Sequence, residues 1–452
     1  MLLAARWLSI AALAAFGLFA VIRPLLAGAY YVPRPHSTGY AYTWLVLALF
    51  APYALLLWTI RRGPPMSPRA AVGAVALVTA PLLIAPLIQS QDLYQYLFYA
   101  KLQILHGANP YVVDPDTFAR DPWLAYIAWR EQLSVYGPLW SLAMQGVVAL
   151  SRGSLVRAVL LAKTFAVALG AVTVWGLVTA TRDRGQDDDR AVTFVVVAFA
   201  LNPLVLSSVA LSGHADIAVA AAFAWAVVAD RRGRPGWSAC LLAAATLVKA
   251  YAGIALVGYL ALLWRRAGWR VAARSAIPPA ALAACASLPY WRGAATFDGV
   301  LSIAGRTSSS LAGTAARIAS SVLVELDVSR PAALALTVVR LAGAIVLALA
   351  FMRLVRRGAT TQSPWPSVLA LSSAYLIVTP WFLPWHALGV FALACAVPGS
   401  PLSAADTVFT GSCLATLGGP GLVGPIATAA ARYGPPTIVY AARRRRQIGA
   451  SA

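Results

Sequence analysis

Apolar residues occupy this chain in long blocks separated by short polar segments. A membrane-spanning helix needs about 20 mostly apolar residues. Blocks of that kind lie at 7–27, 41–60, 71–89, 156–180, 191–211, 215–229, 272–289, 331–352 and 366–381. The block 237–264 is also apolar, but Arg231, Arg232 and Arg234 precede it and Arg265 and Arg266 follow it. Basic flanks on both sides predict two short helices that turn near Lys249, with that lysine at the opposite face. Residues 386–442 are rich in Gly and Pro and resist division. The pattern predicts an all-α polytopic membrane protein, a single domain of about 12–14 transmembrane helices. Two spans fall within 1–70, a core with two loop regions within 71–390, and further spans and a basic tail within 391–452. The first block is followed by span after span, so it reads as a membrane helix and not as a cleavable signal.

The longest segment that does not read as a span is 90–155, and it concentrates polar and aromatic residues. Its stretch 138–151 (PLWSLAMQGVVALS) is apolar but too short to cross, which predicts an interfacial helix. With that helix lying on the membrane, the loop 182–190 falls inside and the segment 213–216 outside. A second outer segment runs from about 290 to 330. Nine of the 15 acids then lie outside or at the outer edge: Asp92, Asp114, Asp116, Asp121, Glu131, Asp216, Asp298, Glu325 and Asp327.

Composition agrees with a membrane protein. Of 452 residues, 60% are hydrophobic and 11% charged, against about 25% charged in soluble domains. Mean hydropathy is +0.73. A soluble enzyme and a nucleic-acid-binding protein are both excluded. The net charge of +21 places no basic stripe on a folded surface, because 20 of the 36 basic residues fall in six short segments: 61–69, 182–190, 231–234, 265–274, 353–357 and 443–446. Such segments are retained on the cytoplasmic side, which predicts a multi-pass protein of a bacterial plasma membrane. Arg443–Arg446 reads as a topology anchor touching anionic lipid. Cys240, Cys285, Cys395 and Cys413 are scattered through apolar stretches and read as core residues.

A few polar residues stand out against this background. Asp92 ends an apolar block, in QSQDLYQYLFYAKLQILHGANPYVVDP. A carboxylate at the membrane boundary is partly desolvated, and a raised pKa suits it to act as a base. It equally suits the cap of a helix over 93–105, with Ser90 and Gln91 as the other cap candidates. Tyr94, Tyr96, Phe98, Tyr99, Trp123, Trp129 and Trp140 fit an interfacial aromatic belt or a sugar-stacking surface. Lys249 is either a functional cation within an apolar run or a snorkelling side chain. Asp216 in SGHAD supports a site or caps the next helix. His214 beside it is a packing residue or a proton carrier, His106 shapes a loop turn, and His386 follows the aromatic, proline-rich TPWFLPW. Asp114-Pro115-Asp116 spells a DxD, but the intervening proline and the lack of a phosphate-binding αβ pattern make it a loop turn. No cluster has metal-ligand spacing, so no obligatory metal or other cofactor is expected and a divalent cation is not indicated.

The order of four of these pieces resembles a known superfamily. An Asp at the end of a span followed by tyrosines, HGANPYVVDP and VYGPLW looks like the first outer loop of the GT-C glycosyltransferases. ALNPLVLSSVALSGHAD (201–216), LLAAATLVKAY (241–251) and VTPWFLPWHAL (378–388) follow in the matching order. Together they look most like the actinobacterial polyprenol-phosphate-mannose-dependent α-(1→6)-mannosyltransferases, over roughly 70–390. The two spans ahead of that core look like an N-terminal addition. Abundant arginine and alanine fit a GC-rich genome. The resemblance implies a GT-C-type bundle with outer interfacial helices and a site at the extracytoplasmic face. It implies an inverting transfer of mannose from a polyprenyl-phosphate sugar to a glycolipid or cell-envelope glycan acceptor, such as a lipomannan chain. Asp92 stands at the position of the catalytic base. Asp216, His214, Tyr94 and Tyr136 would support it or the acceptor, and Lys249, Arg292, Arg306 and His386 would hold the leaving phosphate. Two other classes stay open: a transporter or flippase of a lipid-linked sugar, and a non-catalytic accessory protein on the same scaffold. A transporter favours internal repeats, and none is visible in the sequence.

Overall fold

The computed structural model describes residues 1–26, 45–185, 188–303, 305–308, 310–358, 361–415 and 424–451. The first residues of the 41–60 block and residues 416–423 of the undivided C-terminal stretch lie outside them. The described residues form helices joined by short turns, with an isolated bridge between Arg292 and Ala294. The chain is an all-α polytopic membrane protein.

Five described helices are long and apolar enough to cross a membrane: Leu2–Leu26, Leu45–Arg62, Leu155–Arg182, Trp269–Tyr290 and Pro331–Gly358. A sixth span forms if Asp189–Ala200 and Pro203–Leu211, bent by 46°, count as one. Shorter apolar helices add to them: Pro68–Ile84, Pro138–Ser151, Trp365–Val378 and Pro384–Ala396. Many of the remaining apolar blocks fold as shorter helices, because proline and polar residues interrupt them. Asn202 accepts from the Leu204 amide just before Pro203, and the chain turns there. The 366–381 block yields Trp365–Val378 and stops ahead of Pro380. The 237–264 block divides into Pro235–Thr246 and Gly253–Ala267, with the break at 247–252 around Lys249. The 138–151 stretch is a helix over Pro138–Ser151.

The bundle has two chemically distinct ends. The helix Asp216–Arg231 runs between them, and at 1.5 Å per residue it is about 24 Å long. At its C-terminal end several arginines donate to main-chain carbonyls near helix ends. Arg231 Nη1 donates to Ala180 O (2.6 Å), and Arg184 Nη1 to Ala396 O (2.6 Å). Arg6 reaches Thr59 O (2.9 Å), and Arg190 reaches Arg61 O (3.1 Å). Asp230 accepts from Tyr259 and from Trp365, tying three helices together. The other end carries Asp92, Asp216 and Lys249.

Pro331–Gly358 is exposed along most of its length, with Val338, Leu341, Ile345, Val346 and Leu349 facing outward. Hydrocarbon solvates such a face. Its remaining side walls the cavity described next.

Candidate active site

Asp92 is delivered by a break in the chain. The helix Pro68–Ile84 ends where Ala85 turns extended ahead of Pro86, and seven non-helical residues lead to the helix Asp92–His106. Asp92 is the first residue of that helix. The cap is Gln91, which makes no side-chain capping bond, and the Asp92 amide donates to Ser90 Oγ (3.2 Å). The carboxylate therefore does not serve as the helix cap.

Three other segments converge on it. His214 Nδ1 lies 3.7 Å from Asp92 Oδ2 and 3.4 Å from the Tyr96 hydroxyl. The imidazole stacks on Trp385, centroids 3.9 Å apart and planes 14° from parallel. Lys249 Nζ is 2.7 Å from Asp216 Oδ2, and Tyr251 donates to Asp216 Oδ1 at 2.8 Å. Burial pushes the Asp92 carboxyl up to about 6; Lys249 and the Ser90 hydrogen bond oppose the rise, and the Asp216 charge adds to it. A base with that pKa is mostly ionised at neutral pH yet holds a proton once it has taken one.

A cavity of about 680 Å³ opens onto Asp92. Aromatic residues form much of its wall: Tyr99, Trp129, Tyr136, Tyr251, Tyr375 and Trp381. Its cations are Lys249, Arg306 and Arg340. Lys249 is already neutralised by Asp216. Arg306 donates to Gln132 Oε1 (2.8 Å) and lies over the Trp129 ring (4.3 Å). Arg340, on the outward-facing helix, has no hydrogen-bond or ion-pair partner among the described residues. His386 lines the cavity too. Its Nδ1 accepts from the Leu383 amide at 3.3 Å, so the ring is neutral and its Nε2 carries the proton. These groups suit a chemistry in which a base works beside an anion.

The loops around the cavity are held by their own sequence. Asn109 accepts from the Tyr111 amide (3.0 Å) and donates to Tyr290 O (2.8 Å), and the Tyr111 hydroxyl donates to Tyr136 O (2.7 Å). Gly137 N donates to Val248 O (2.9 Å) and Leu139 N to Leu247 O (3.0 Å), so YGP docks on the turn that carries Lys249. A Cβ at Gly137 would fall 2.1 Å from Leu247 O; only glycine permits that approach. Gln95 and the Trp129 main chain exchange two bonds (3.1 and 3.3 Å). Asp121 accepts from Lys101 (2.6 Å) and His106 (2.9 Å). Burial works to raise its carboxyl, but these bonds and the Trp123 amide hold it below the ordinary value. Asp114 accepts from the Thr117 amide (3.1 Å), so the DxD is a turn. The described residues contain no cluster of His, Cys, Asp or Glu that could hold a metal ion.

Of the residues singled out in the sequence, Asp92, Tyr136, Lys249, Arg306 and His386 line the cavity. Asp216 and His214 stand directly behind it, bound to Lys249 and against Asp92. Tyr94 is buried against Tyr126, with centroids 5.2 Å apart, and does not line the wall. Arg292 is exposed, donates to its neighbour Trp291 O (2.7 Å), and lies off the cavity. Its own amide donates to Thr296 Oγ1 (2.8 Å). Arg340 lines the cavity instead. It was visible in the sequence as a charge within a span, a sign of function in itself.

Comparison with known proteins identifies the family of the chain. Residues 2–266 match the family described as "Alpha-(1->6)-mannopyranosyltransferase, N-terminal domain". The match takes in the two N-terminal helices, Asp92, Asp216 and Lys249. An 88-residue stretch is 39% identical to a "Probable alpha-(1->6)-mannopyranosyltransferase" of Mycolicibacterium smegmatis. That stretch covers 19% of this chain and 16% of the relative's length. No solved structure matches the chain. Since the family match spans more than half of its residues, the chain belongs to the alpha-(1->6)-mannopyranosyltransferase family.

Proposed function

We propose that this protein is an inverting membrane mannosyltransferase. It moves mannose from a polyprenyl-phosphate donor to a lipid-linked or cell-envelope glycan, forming an α-(1→6) linkage. The observation that carries the reading is the placement of Asp92, a carboxylate with a pKa of about 6, on the wall of a cavity that also holds Arg306 and Arg340. In the reaction, Asp92 takes the proton of an acceptor hydroxyl as that oxygen attacks the anomeric carbon. The bond from that carbon to the phosphate oxygen breaks, and its electron pair leaves with the lipid phosphate. The leaving group needs no protonation while cations hold it. Arg306 and Arg340 supply the charge, and the His386 Nε2–H supplies a neutral donor.

The aromatic wall suits the apolar faces of sugar rings, and the Gly343, Ala344 and Leu347 side suits an isoprenoid tail. Cavity and basic loops stand at opposite ends of the bundle. With the arginines retained in the cytoplasm, the site opens at the outer face of the plasma membrane. Family membership supports mannose and the α-(1→6) linkage; the lipid donor rests on the anion-holding cavity beside an outward-facing helix.

The test is to purify wild type and Asp92→Asn in detergent. Each is incubated with radiolabelled polyprenyl-phosphate mannose and a membrane glycolipid acceptor. Transfer by wild type that is lost in a folded Asp92→Asn protein is the expected result. Transfer that survives in Asp92→Asn moves the base elsewhere, and no transfer by wild type overturns the reading.

A further inference from the structure

We propose that Lys163 is a positioning residue, pinning the segment that carries Asp92 to the segment that carries His214. This rests on the reading of Asp92 as the base.

Lys163 lies on the helix Leu155–Arg182 and is fully buried. A lysine in that setting ordinarily pairs with a carboxylate, yet no acid lies within ion-pair distance of Lys163 among the described residues. Instead its Nζ donates to two main-chain carbonyls, Leu82 O at 2.8 Å and Ala85 O at 2.5 Å. Those carbonyls stand at the end of the helix Pro68–Ile84, just where the chain leaves it for Asp92. Helix ends leave carbonyls without intrahelical partners, and Pro86 has no N–H to offer them. The ammonium therefore fixes the point from which the Asp92 segment departs.

The stem of the same lysine lies close to the other half of the contact. A Cβ built on Gly213 would stand 3.6 Å from Lys163 Cγ and 3.1 Å from Leu93 Cδ2. Gly213 has φ +66°, a conformation glycine adopts without strain, and His214 follows it. One side chain thus binds one segment of the Asp92–His214 meeting point and lies beside the other, which is more than 120 residues away in sequence. Lys163 does not line the cavity, so it acts on the reaction through Asp92 and not through substrate.

The experiment compares full-length wild type, Lys163→Met, Lys163→Gln, His214→Ala and the Lys163→Met/His214→Ala double variant. Methionine keeps the stem and removes the donors; glutamine keeps an amide donor and serves where methionine does not fold. Two readings are taken. One is kcat and KM for mannosyl transfer. The other is the rate at which dicyclohexylcarbodiimide, which favours dry protonated carboxyls, modifies Asp92, followed by peptide mass spectrometry; it needs no substrate. Lys163→Met is expected to lower kcat by about tenfold or more, as a small misplacement does, with KM within about twofold. Asp92 modification slows severalfold, Lys163→Gln falls between, and the double variant loses little more than Lys163→Met alone. A folded Lys163→Met with wild-type kcat or an unchanged modification rate overturns the proposal, as does a change in KM alone. If wild type transfers no mannose, the proposed function fails, and the modification rates still decide the role of Lys163.

Discussion

Lys249 on the cavity wall and Asp216 behind it neutralise one another: Nζ and Oδ2 are 2.7 Å apart, and the second carboxylate oxygen is held by Tyr251. Removing one partner of a buried pair leaves an uncompensated charge and costs about 3–5 kcal/mol. Lys249→Met and Asp216→Leu are each expected to lower thermal stability in detergent. A Lys249→Met/Asp216→Leu double variant regains much of the loss. A double-mutant cycle on thermal midpoints measures the coupling, and additive losses would refute it.

The acid limb of transfer follows Asp92. Its carboxyl rises from 3.8 to about 6, so activity climbs as pH passes through about 6 and levels off above it. The sign for stability is the reverse. The folded state holds this proton more tightly than the unfolded chain, so ionising Asp92 costs stability, by about 3 kcal/mol once pH exceeds 6. Asp92→Asn is therefore expected to be inactive and more heat-resistant than wild type at pH 7.5, a difference that shrinks towards pH 4. Thermal unfolding at the two pH values checks it.

Arg340→Gln is expected to raise the KM for a polyprenyl-phosphate sugar by about tenfold, the loss of one charge-assisted contact. Arg306→Gln has a similar effect and also loosens Gln132. Arg292→Gln leaves both kcat and KM as in wild type, since that side chain lies off the cavity. Steady-state kinetics on the three variants separates them.

Gly137→Ala forces a methyl group onto Leu247 O. The backbone must part there, breaking the bonds that join Gly137 and Leu139 to the Lys249 turn. The expected outcome is a loss of transfer of about a hundredfold and a lower thermal midpoint. Gly146, with open space around its Cβ position, serves as the control, because Gly146→Ala leaves activity intact.

Much of this architecture is legible in the sequence where a local rule decides it. The helix Pro138–Ser151 matches the 138–151 block because a glycine–proline start fixes one end. The break at Lys249 follows from basic flanks on both sides of an apolar run. The DxD turn follows from a proline between two acids. Asp92 announces itself by ending an apolar block. What stays hidden are meetings between distant segments. Nothing near Arg340 says that its side of a long helix faces the cavity, and nothing near Arg292 says that its loop turns away. The Asp92–His214 contact joins residues on different segments, and hydropathy reports only that each lies near an apolar run. Helix lengths stay hidden for a related reason: block length is visible, but bends such as the one at Asn202-Pro203 shorten the helices within it.

The exposed helix Pro331–Gly358 has a kinetic consequence. One side of it meets hydrocarbon while Arg340, Gly343, Ala344 and Leu347 face the cavity, so the lipid-anchored donor proposed above would enter sideways, without leaving the bilayer. Encounter then takes place in two dimensions. The quantity that saturates such an enzyme is the mole fraction of donor among surrounding lipids, not its molarity in the buffer. Adding inert lipid at constant donor should slow the reaction as effectively as removing donor.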